Sequence, residues 1–221
     1  MSNHAKRILI LLGGRYHDFD GFARAMAPIY EAEGWPIEAT YDLDVLTCLD
    51  KVGCEIVLIY TCFSKNEPDQ AERTPERLTD EQVRGLADWV QKGGALLAAH
   101  CATVVGESGP ELGRLLGGTF ISHPPPFTFT ISPVSDEHPI TRGVPAFDVY
   151  DEFYMERCEP SVKIHMIAVD QTVAHPMVWS KQEGAGHVVH IAPGHFPEVW
   201  NLRPYQRLMV QAVSWLTGSS G

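Results

Sequence analysis

Short apolar runs alternate with amphipathic stretches as far as residue 99. The apolar runs at residues 7–12, 37–41, 55–60 and 95–99 have the length of strands, and the sequence EIVLIY predicts a strand that is covered on both faces. Helical spacing of apolar residues follows at 21–33 and 83–90, and Thr79 with Gln82 forms a capping box before the second helix. Strand–helix alternation of this kind predicts a parallel, doubly wound sheet.

The pattern changes after residue 99. Residues 127–132, 162–169 and 187–192 alternate with period two, which predicts antiparallel additions to the sheet or a β-rich extension at its edge. Residues 203–217 predict a closing amphipathic helix with Pro204 in its first turn, followed by a frayed tail at 218–221. No repeat, low-complexity tract or linker interrupts the chain, so we expect one domain over residues 1–221.

One polar connection is long. Residues 61–78 contain two prolines and no helix or strand pattern. A connection of this length is typical either of a mobile lid or of a solvated surface loop, and the sequence favours neither.

The composition narrows the class of protein. The 221 residues are 44% apolar and 20% charged, which is ordinary for a globular protein. A net charge of −11 and the lack of Lys/Arg clusters argue against a nucleic-acid or membrane partner. Five cysteines without a CxxC pair suit a reducing compartment, and the first apolar run is too short for a signal peptide. We therefore expect a cytoplasmic protein.

The placement of the histidines is the strongest chemical signal among the ten in the chain. His17, His100 and His195 follow predicted strands, and His123 lies in a Ser-His-Pro turn. Because the carboxyl ends of parallel strands share one edge of a sheet, these four side chains are expected to converge there.

A carboxylate pair and a cysteine add further candidates. Asp151 and Glu152 lie among aromatic residues, and a carboxylate can orient a histidine, raise its basicity or act as a general base. The same acids could instead cap a turn. Cys101 lies at a strand-to-helix turn, where nucleophiles are found in related architectures. However, the small residues of this turn flank His100, so His100 and not Cys101 has the central position, and Cys101 is expected to be a buried packing residue.

We group these residues by role. Acid–base roles are predicted for His100, His123, Glu152 and His195, and substrate contacts for His17, Asp151 and Cys101. Trp179, Phe153 and Trp200 could stack on a sugar, but packing in the core is the favoured interpretation of each.

Cofactor motifs are weak. Neutral imidazoles beside a carboxylate suit a divalent metal such as zinc or manganese, but no HExxH or similar local spacing supports one. The pair Gly13-Gly14 lacks the GxGxxG pattern and the chain has no P-loop, so we expect no nucleotide cofactor.

Several motifs, in order along nearly the whole chain, resemble the ThuA-like (trehalose-utilisation) family: GGRYHDF at 13–19, GGALLAAHCA at 93–102, LLGGTFISHP at 115–124, DEHPITRGVPAFDVYDEFY at 136–154 and MVWSKQEGAGHVVHIAPGH at 177–195. The resemblance implies a flavodoxin-like three-layer α/β/α sandwich with a mainly parallel sheet, similar to class I glutamine amidotransferases, with antiparallel additions in the C-terminal half. It also implies that His100 occupies the position of the amidotransferase cysteine. The recurrent polar residues of the family fall on His17, His100, His123, Glu152 and His195.

The resemblance also implies a role in the catabolism of trehalose and related disaccharides through keto-sugar intermediates. Two features depart from the family pattern. A Gly-Lys-Gly-Arg turn is replaced by Gly184-Ala185-Gly186-His187, and the polar insertion around 65–77 is particular to this chain.

Three functional hypotheses follow. The leading one is a sugar-active hydrolase, lyase or isomerase that uses the His/Glu cluster, with or without a metal, on a small-molecule sugar. The second is a cysteine hydrolase or amidotransferase that uses Cys101, and the third is a non-catalytic sugar-binding or regulatory protein on an amidotransferase-like scaffold. A homodimer is expected only because most soluble oligomers are symmetric.

Overall fold

The computed structural model describes residues 7–218, which alternate strands and helices as far as residue 99 and are mostly strand beyond it. The strands are β1 (Ile8–Gly14), β2 (Ile37–Thr40), β3 (Ile56–Cys62), β4 (Ala95–Ala99), β5 (Gly118–Ser122), β6 (Phe127–Pro133), β7 (Phe147–Asp151), β8 (Met155–Cys158), β9 (Lys163–Asp170), β10 (Val173–Glu183) and β11 (Gly186–Ile191). The helices are α1 (Phe19–Ala32), α2 (Leu49–Val52), α3 (Asp80–Gln91), α4 (Gly109–Leu116), α5 (Pro197–Trp200) and α6 (Arg203–Leu216), with 3-10 segments at Leu43–Cys48 and His100–Thr103. Residues 219–221 of the predicted tail lie outside the described residues.

A nine-stranded mixed sheet runs through the molecule in the order β2-β1-β3-β4-β11-β10-β9-β6-β7. The first five strands in this order pair in parallel. From β11 onward every pairing is antiparallel. Strands β5 and β8 form a separate antiparallel ribbon.

Helices cover both faces of the parallel half. Along β1, Ile8, Ile10 and Leu12 pack in the core that includes Phe22 of α1 and Leu208 of α6. The alternate side chains of β1 pack on the other face, in the core formed with α3 and α4. This α/β/α layering confirms the predicted fold class. It also explains the continuous apolar runs in the sequence, because a parallel strand that is buried on both faces is apolar at nearly every position.

The local signals at the predicted helices are confirmed. The Thr79 hydroxyl accepts a hydrogen bond from the Gln82 backbone N–H at 3.2 Å, and the Gln82 side chain accepts from the Thr79 N–H at 2.8 Å, which completes the capping box. The closing helix buries the predicted side chains Leu208, Met209, Ala212, Val213 and Leu216.

The prediction for residues 187–192 is wrong in one respect. Strand β11 pairs antiparallel with β10 but parallel with β4, from His187 opposite Ala95 to Ile191 opposite Ala99. It is therefore a central strand of the sheet. The prediction rested on alternating apolar and polar residues, but the polar residue His190 is fully buried against Glu156. The antiparallel prediction is confirmed for β6 and β9.

Four strands had no counterpart in the sequence prediction: β5, β7, β8 and β10. Strand β10 contains Pro176 next to a register shift and Lys181 in its interior. Lys181 is nevertheless buried, because its ammonium group donates to the Arg114 carbonyl at 2.7 Å and lies 2.8 Å from Glu183. The Arg114 carbonyl is far from Lys181 in the sequence, so this interaction cannot be predicted from a local pattern.

The long polar connection folds back on itself. The Asn66 side chain donates to the Thr74 carbonyl at 2.9 Å, and the Asn66 N–H donates to Glu76 at 2.6 Å. Within residues 63–79 the one strand-like contact is an isolated bridge from Phe63 to Val105. The mobility of a lid here stays a prediction.

None of the helices within residues 7–218 is both long enough and apolar enough to cross a bilayer.

Candidate active site

Three of the predicted histidines meet at the carboxyl edge of the parallel strands. His17 follows β1, His100 follows β4 and His195 follows β11. The ring centroid of His17 lies 5.0 Å from that of His100 and 4.7 Å from that of His195. The centroids of the His100 and His195 rings are 5.5 Å apart. The structure thus brings together residues that are far apart in the sequence.

The carboxylate of Glu152, which follows β7, lies at the centre of this cluster. Its Oε2 atom is 3.2 Å from His195 Nδ1 and 3.5 Å from His100 Nε2, and its Oε1 atom is 3.5 Å from His123 Nε2. Burial alone would raise the pKa of Glu152, but the interactions with His100 and His195 outweigh it and hold the pKa well below its usual range. Glu152 is therefore an anion at neutral pH.

The backbone at His100 bends sharply to place its ring. His100 has a φ of 43°, in the left-handed region, where a strand turns directly into a 3-10 segment. Its ring is fully buried, and Nδ1 lies 2.7 Å from the Ala192 carbonyl oxygen. Since a carbonyl oxygen only accepts, Nδ1 carries a hydrogen. Nε2 faces Glu152, and it has a lone pair in the neutral ring and a hydrogen in the protonated ring.

His17 is held in the same way. Its Nδ1 lies 2.9 Å from the Arg15 carbonyl oxygen, so this nitrogen also carries the hydrogen. Its Nε2 is buried without a hydrogen-bond partner. Burial lowers the pKa of His17, and the neighbouring Cys62 thiol opposes this in part. His17 is therefore neutral near pH 7.

Asp151 acts on the loop that positions His195. Its carboxylate accepts hydrogen bonds from the Gly194 N–H at 2.6 Å and from the His195 N–H at 3.1 Å. The Gly194 carbonyl in turn accepts from Tyr60 at 3.0 Å and from the Trp200 indole at 2.7 Å. Burial raises the pKa of Asp151, and its side chain has no exposed surface. The structure therefore places this predicted substrate contact beneath the site.

A cavity of about 400 Å³ opens beside Glu152, within the size range of small-molecule sites. His123 lies on its wall with about a third of its side chain exposed. The rings of Tyr154 and Phe120 are 4.5 Å apart, and His123 stacks on Tyr154 at 5.8 Å. The full lining is Tyr16, His17, Cys62, Ser64, Val104, Phe120, His123, Glu152 and Tyr154.

Two thiols lie near the site in different environments. Cys101 is fully buried, and burial raises its pKa well above the usual value. Cys62, at the end of β3, lines the cavity. A hydrogen bond with Cys101 and the nearby His17 ring lower the pKa of Cys62. Sequence reasoning did not select Cys62, although its place at a strand end was a usable signal.

The three aromatic candidates for stacking pack in the core, as the packing interpretation expects. Trp179, Phe153 and Trp200 are buried in the core. The rings that line the cavity are those of Tyr16, Phe120 and Tyr154, and Tyr154 belongs to the DEFY motif.

The fold and the site define a class of protein. A mainly parallel sheet between two layers of helices is the architecture of the flavodoxin-like, class I glutamine amidotransferase-like fold. His100 lies at the sharp turn after the central strand β4. The family model described as ThuA, trehalose utilisation, matches residues 7–216, and the chain belongs to this family. At the level of the family, this supports a carbohydrate-related role.

Solved structures share the fold. A ThuA-like protein from Parabacteroides merdae has a TM-score of 0.78 at 16% identity, over 97% of this chain and 91% of that chain. A ThuA-like protein from Bacteroides uniformis has a TM-score of 0.74 at 18% identity, over 96% and 91%. A β-galactosidase from Rahnella sp. R3 has a TM-score of 0.68 at 13% identity, over 96% of this chain but only 31% of that chain. Such low identities show the fold alone. A comparison with curated proteins gives no significant match.

Proposed function

We propose that this chain is an enzyme of carbohydrate metabolism that moves a proton at a carbon next to the carbonyl group of a keto-sugar. The observation that supports this most directly is the position of His100, His123 and His195 within 3.5 Å of one carboxylate, that of Glu152. The carbohydrate-related family gives the substrate class. Proton abstraction next to a carbonyl needs a base with a pKa near neutrality, which imidazole provides.

His123 is the base in this proposal. It is the histidine of the cluster with the most exposed side chain, and it lines the cavity, whereas His100 is buried. Its Nδ1 lies 2.9 Å from the Pro124 carbonyl oxygen, so a neutral ring has its lone pair on Nε2. Nε2 takes the proton from the carbon and later returns it to the product.

Glu152 stabilises the protonated base. Its Oε1 atom lies 3.5 Å from His123 Nε2, and its lowered pKa keeps it ionised. An anion at this distance favours the imidazolium and orients the ring. Glu152 is thus a partner of the base and not a proton donor.

The cavity suits a sugar. Phe120 lies on the wall that also holds His123, and the largely buried Tyr154 ring packs against both. An apolar ring covers the C–H face of a sugar, while the polar groups of the wall meet its hydroxyls. The volume of about 400 Å³ accommodates a ligand of this kind.

Hydrogen–deuterium exchange tests the proposal without knowledge of the final product. The protein is incubated with keto forms of trehalose and of simple glucosides in deuterium oxide, and proton NMR follows the signal of the carbon next to the carbonyl. We expect wild-type protein to catalyse the loss of this signal. His123→Ala and Glu152→Gln should slow it by about 100-fold or more. His175→Gln, on β10 and outside the cavity lining, is the matched control.

Two outcomes would overturn the proposal. Keto-sugars that bind without exchange or turnover would favour a non-catalytic sugar-binding protein. Activity that survives His123→Ala but disappears in a folded Cys101→Ser variant would favour the thiol hydrolase, against the burial and raised pKa of Cys101.

A further inference from the structure

We propose that His17, His100, His195 and Glu152 form a binding site for one divalent transition-metal ion, with zinc as the ion that the donors fit best. Each residue offers one ligand atom, and the four atoms lie within 4.8 Å of one another. Three imidazole nitrogens and one carboxylate oxygen are donors that zinc prefers, whereas magnesium and calcium prefer oxygen alone. This site rests on ligand geometry and does not depend on the reaction proposed above.

The histidine nitrogens that face the cluster are free to bind. His17 Nε2, His100 Nε2 and His195 Nδ1 are buried, and none of them makes a hydrogen bond of good geometry, although the last two lie 3.5 and 3.2 Å from Glu152 Oε2. A buried polar atom without a partner typically costs about 1–3 kcal/mol, so three at one point need an explanation. A single metal ion would provide a partner for all three.

The outer nitrogens show the arrangement that is usual around metal-bound histidines. In His17 and His100 the opposite nitrogen, Nδ1, donates to a backbone carbonyl, that of Arg15 at 2.9 Å and that of Ala192 at 2.7 Å. Such bonds fix the tautomer and the ring orientation, so the lone pair of Nε2 is already aimed at the ion.

The carboxylate lies at a suitable distance from two of the nitrogens. Glu152 Oε2 is 3.2 Å from His195 Nδ1 and 3.5 Å from His100 Nε2. Ligand atoms about 2.1 Å from a tetrahedral zinc ion are about 3.4 Å apart, which agrees with both distances.

The charges near Glu152 also favour a cation. In residues 7–218, the ion-pair partners found for Glu152 are His100, His123 and His195, and no Lys or Arg is among them. A half-buried anion with no Lys or Arg beside it lacks a permanent counter-charge, and a divalent ion supplies one.

His123 lies outside the ligand set. It faces the other carboxylate oxygen, Oε1, from the cavity side. The carboxylate therefore has the metal site on one side and the proposed base on the other. When bound, the ion supplies a Lewis acid for the carbonyl oxygen, a role that the hydrogen-free Nε2 atoms of His17 and His100 cannot fill.

The position of His123 gives a matched control for a binding experiment. Untagged protein is stripped with a chelator and titrated with zinc by calorimetry, and bound metal is counted by mass spectrometry after dialysis. We expect one zinc ion per chain in wild-type protein. His100→Ala, His195→Ala and Glu152→Ala should each weaken binding at least tenfold, while His123→Ala keeps the stoichiometry. Circular dichroism confirms that each variant is folded.

Cobalt(II) provides a second measurement that needs no variant. Its visible spectrum in the wild-type protein should show the strong bands of tetrahedral coordination, and added zinc should remove them. Zinc, cobalt and manganese that all fail to bind the stripped wild-type protein would overturn the inference. So would binding that persists in His100→Ala and His195→Ala, or binding that needs His123.

The two proposals fail separately. Deuterium exchange in metal-free protein would leave the proposed function standing and remove the metal from it. Bound zinc without exchange on any keto-sugar would leave the metal site standing and overturn the proposed reaction.

Discussion

The imidazole of His100 is hydrogen-bonded to the carbonyl oxygen of Ala192, with 2.7 Å between Nδ1 and the oxygen. This bond joins the turn after β4 to the turn after β11, two strands that are neighbours in the sheet. It decides which nitrogen of the ring has the proton, and hence what the ring can offer to Glu152.

The first prediction concerns that proton. We expect nitrogen-15 NMR of chelator-treated protein, at a pH at which the ring is neutral, to show His100 with hydrogen on Nδ1 and a bare Nε2. Addition of zinc should shift the Nε2 resonance and leave the Nδ1–H in place. A hydrogen found on Nε2 would contradict both the tautomer and the proposed ligand role.

The second prediction concerns backbone strain at the same residue. His100 has a φ of 43°, which glycine adopts readily and alanine does not. In the presence of chelator, His100→Gly should therefore be more stable than His100→Ala by about 1 kcal/mol in urea unfolding.

The nearby Ala102 serves as its control. Ala102 is not among the positive-φ residues, so Ala102→Gly should lower stability. A His100→Gly variant that is less stable than His100→Ala would show that the left-handed turn is not strained.

The third prediction concerns the buried pair formed by His190 and Glu156. His190 Nε2 lies 3.3 Å from Glu156 Oε1, which also accepts a hydrogen bond from Thr103 at 2.5 Å, and both members of the pair are fully buried. Glu156→Leu leaves two polar groups without a partner and should lower the free energy of unfolding by about 3 kcal/mol.

A double-mutant cycle checks this interpretation. The double variant Glu156→Leu with His190→Leu should be clearly more stable than the sum of the two single changes predicts. Strict additivity would mean that the two side chains do not interact.

The fourth prediction concerns acid stability. Burial lowers the pKa of His165 to about 3, and His138 and Lys163 add to this effect. The unfolded chain, with a histidine pKa of about 6.5, then binds more protons than the folded protein in the range between the two values. The contribution of His165 to stability is present above pH 6.5 and is lost as the pH falls towards 3.

Removing the imidazole should flatten this dependence. We expect the free energy of unfolding of His165→Asn to fall less steeply than that of the wild-type protein below a pH of about 6.5, and equally above it. Parallel curves over the whole range would show that folding does not lower the pKa of His165.

Local sequence patterns were enough to predict the parallel half of the fold. Apolar runs, the capping box at Thr79 and the closing helix depend on neighbours in the sequence, and the structure confirms them. The antiparallel half depends on distant partners. Lys181 and His190 look like surface residues until the fold brings the Arg114 carbonyl and Glu156 beside them.

The candidate site divides in the same way. His17, His100 and His195 follow from the rule that parallel strands end at one edge. Glu152 does not, because it follows β7, which lies in the antiparallel half at the end of the nine-stranded order. It was selected as a carboxylate among aromatic residues and by the family resemblance. The burial of Cys101 confirms the packing interpretation and is against its predicted substrate contact, whereas Cys62, a buried thiol that lines the cavity, was not selected.

The route of the sheet has a practical consequence. Strand β6 pairs with β9 only from Ile131 to Pro133, after which the chain turns and β7 returns to the loop that follows β11. The residues before the turn at 104–108 supply His17 and His100, and those after it supply Glu152 and His195. If the chain is expressed as two fragments divided at that turn, each fragment has two of the four proposed ligands. Metal binding that occurs only after the two fragments are mixed would then report their association.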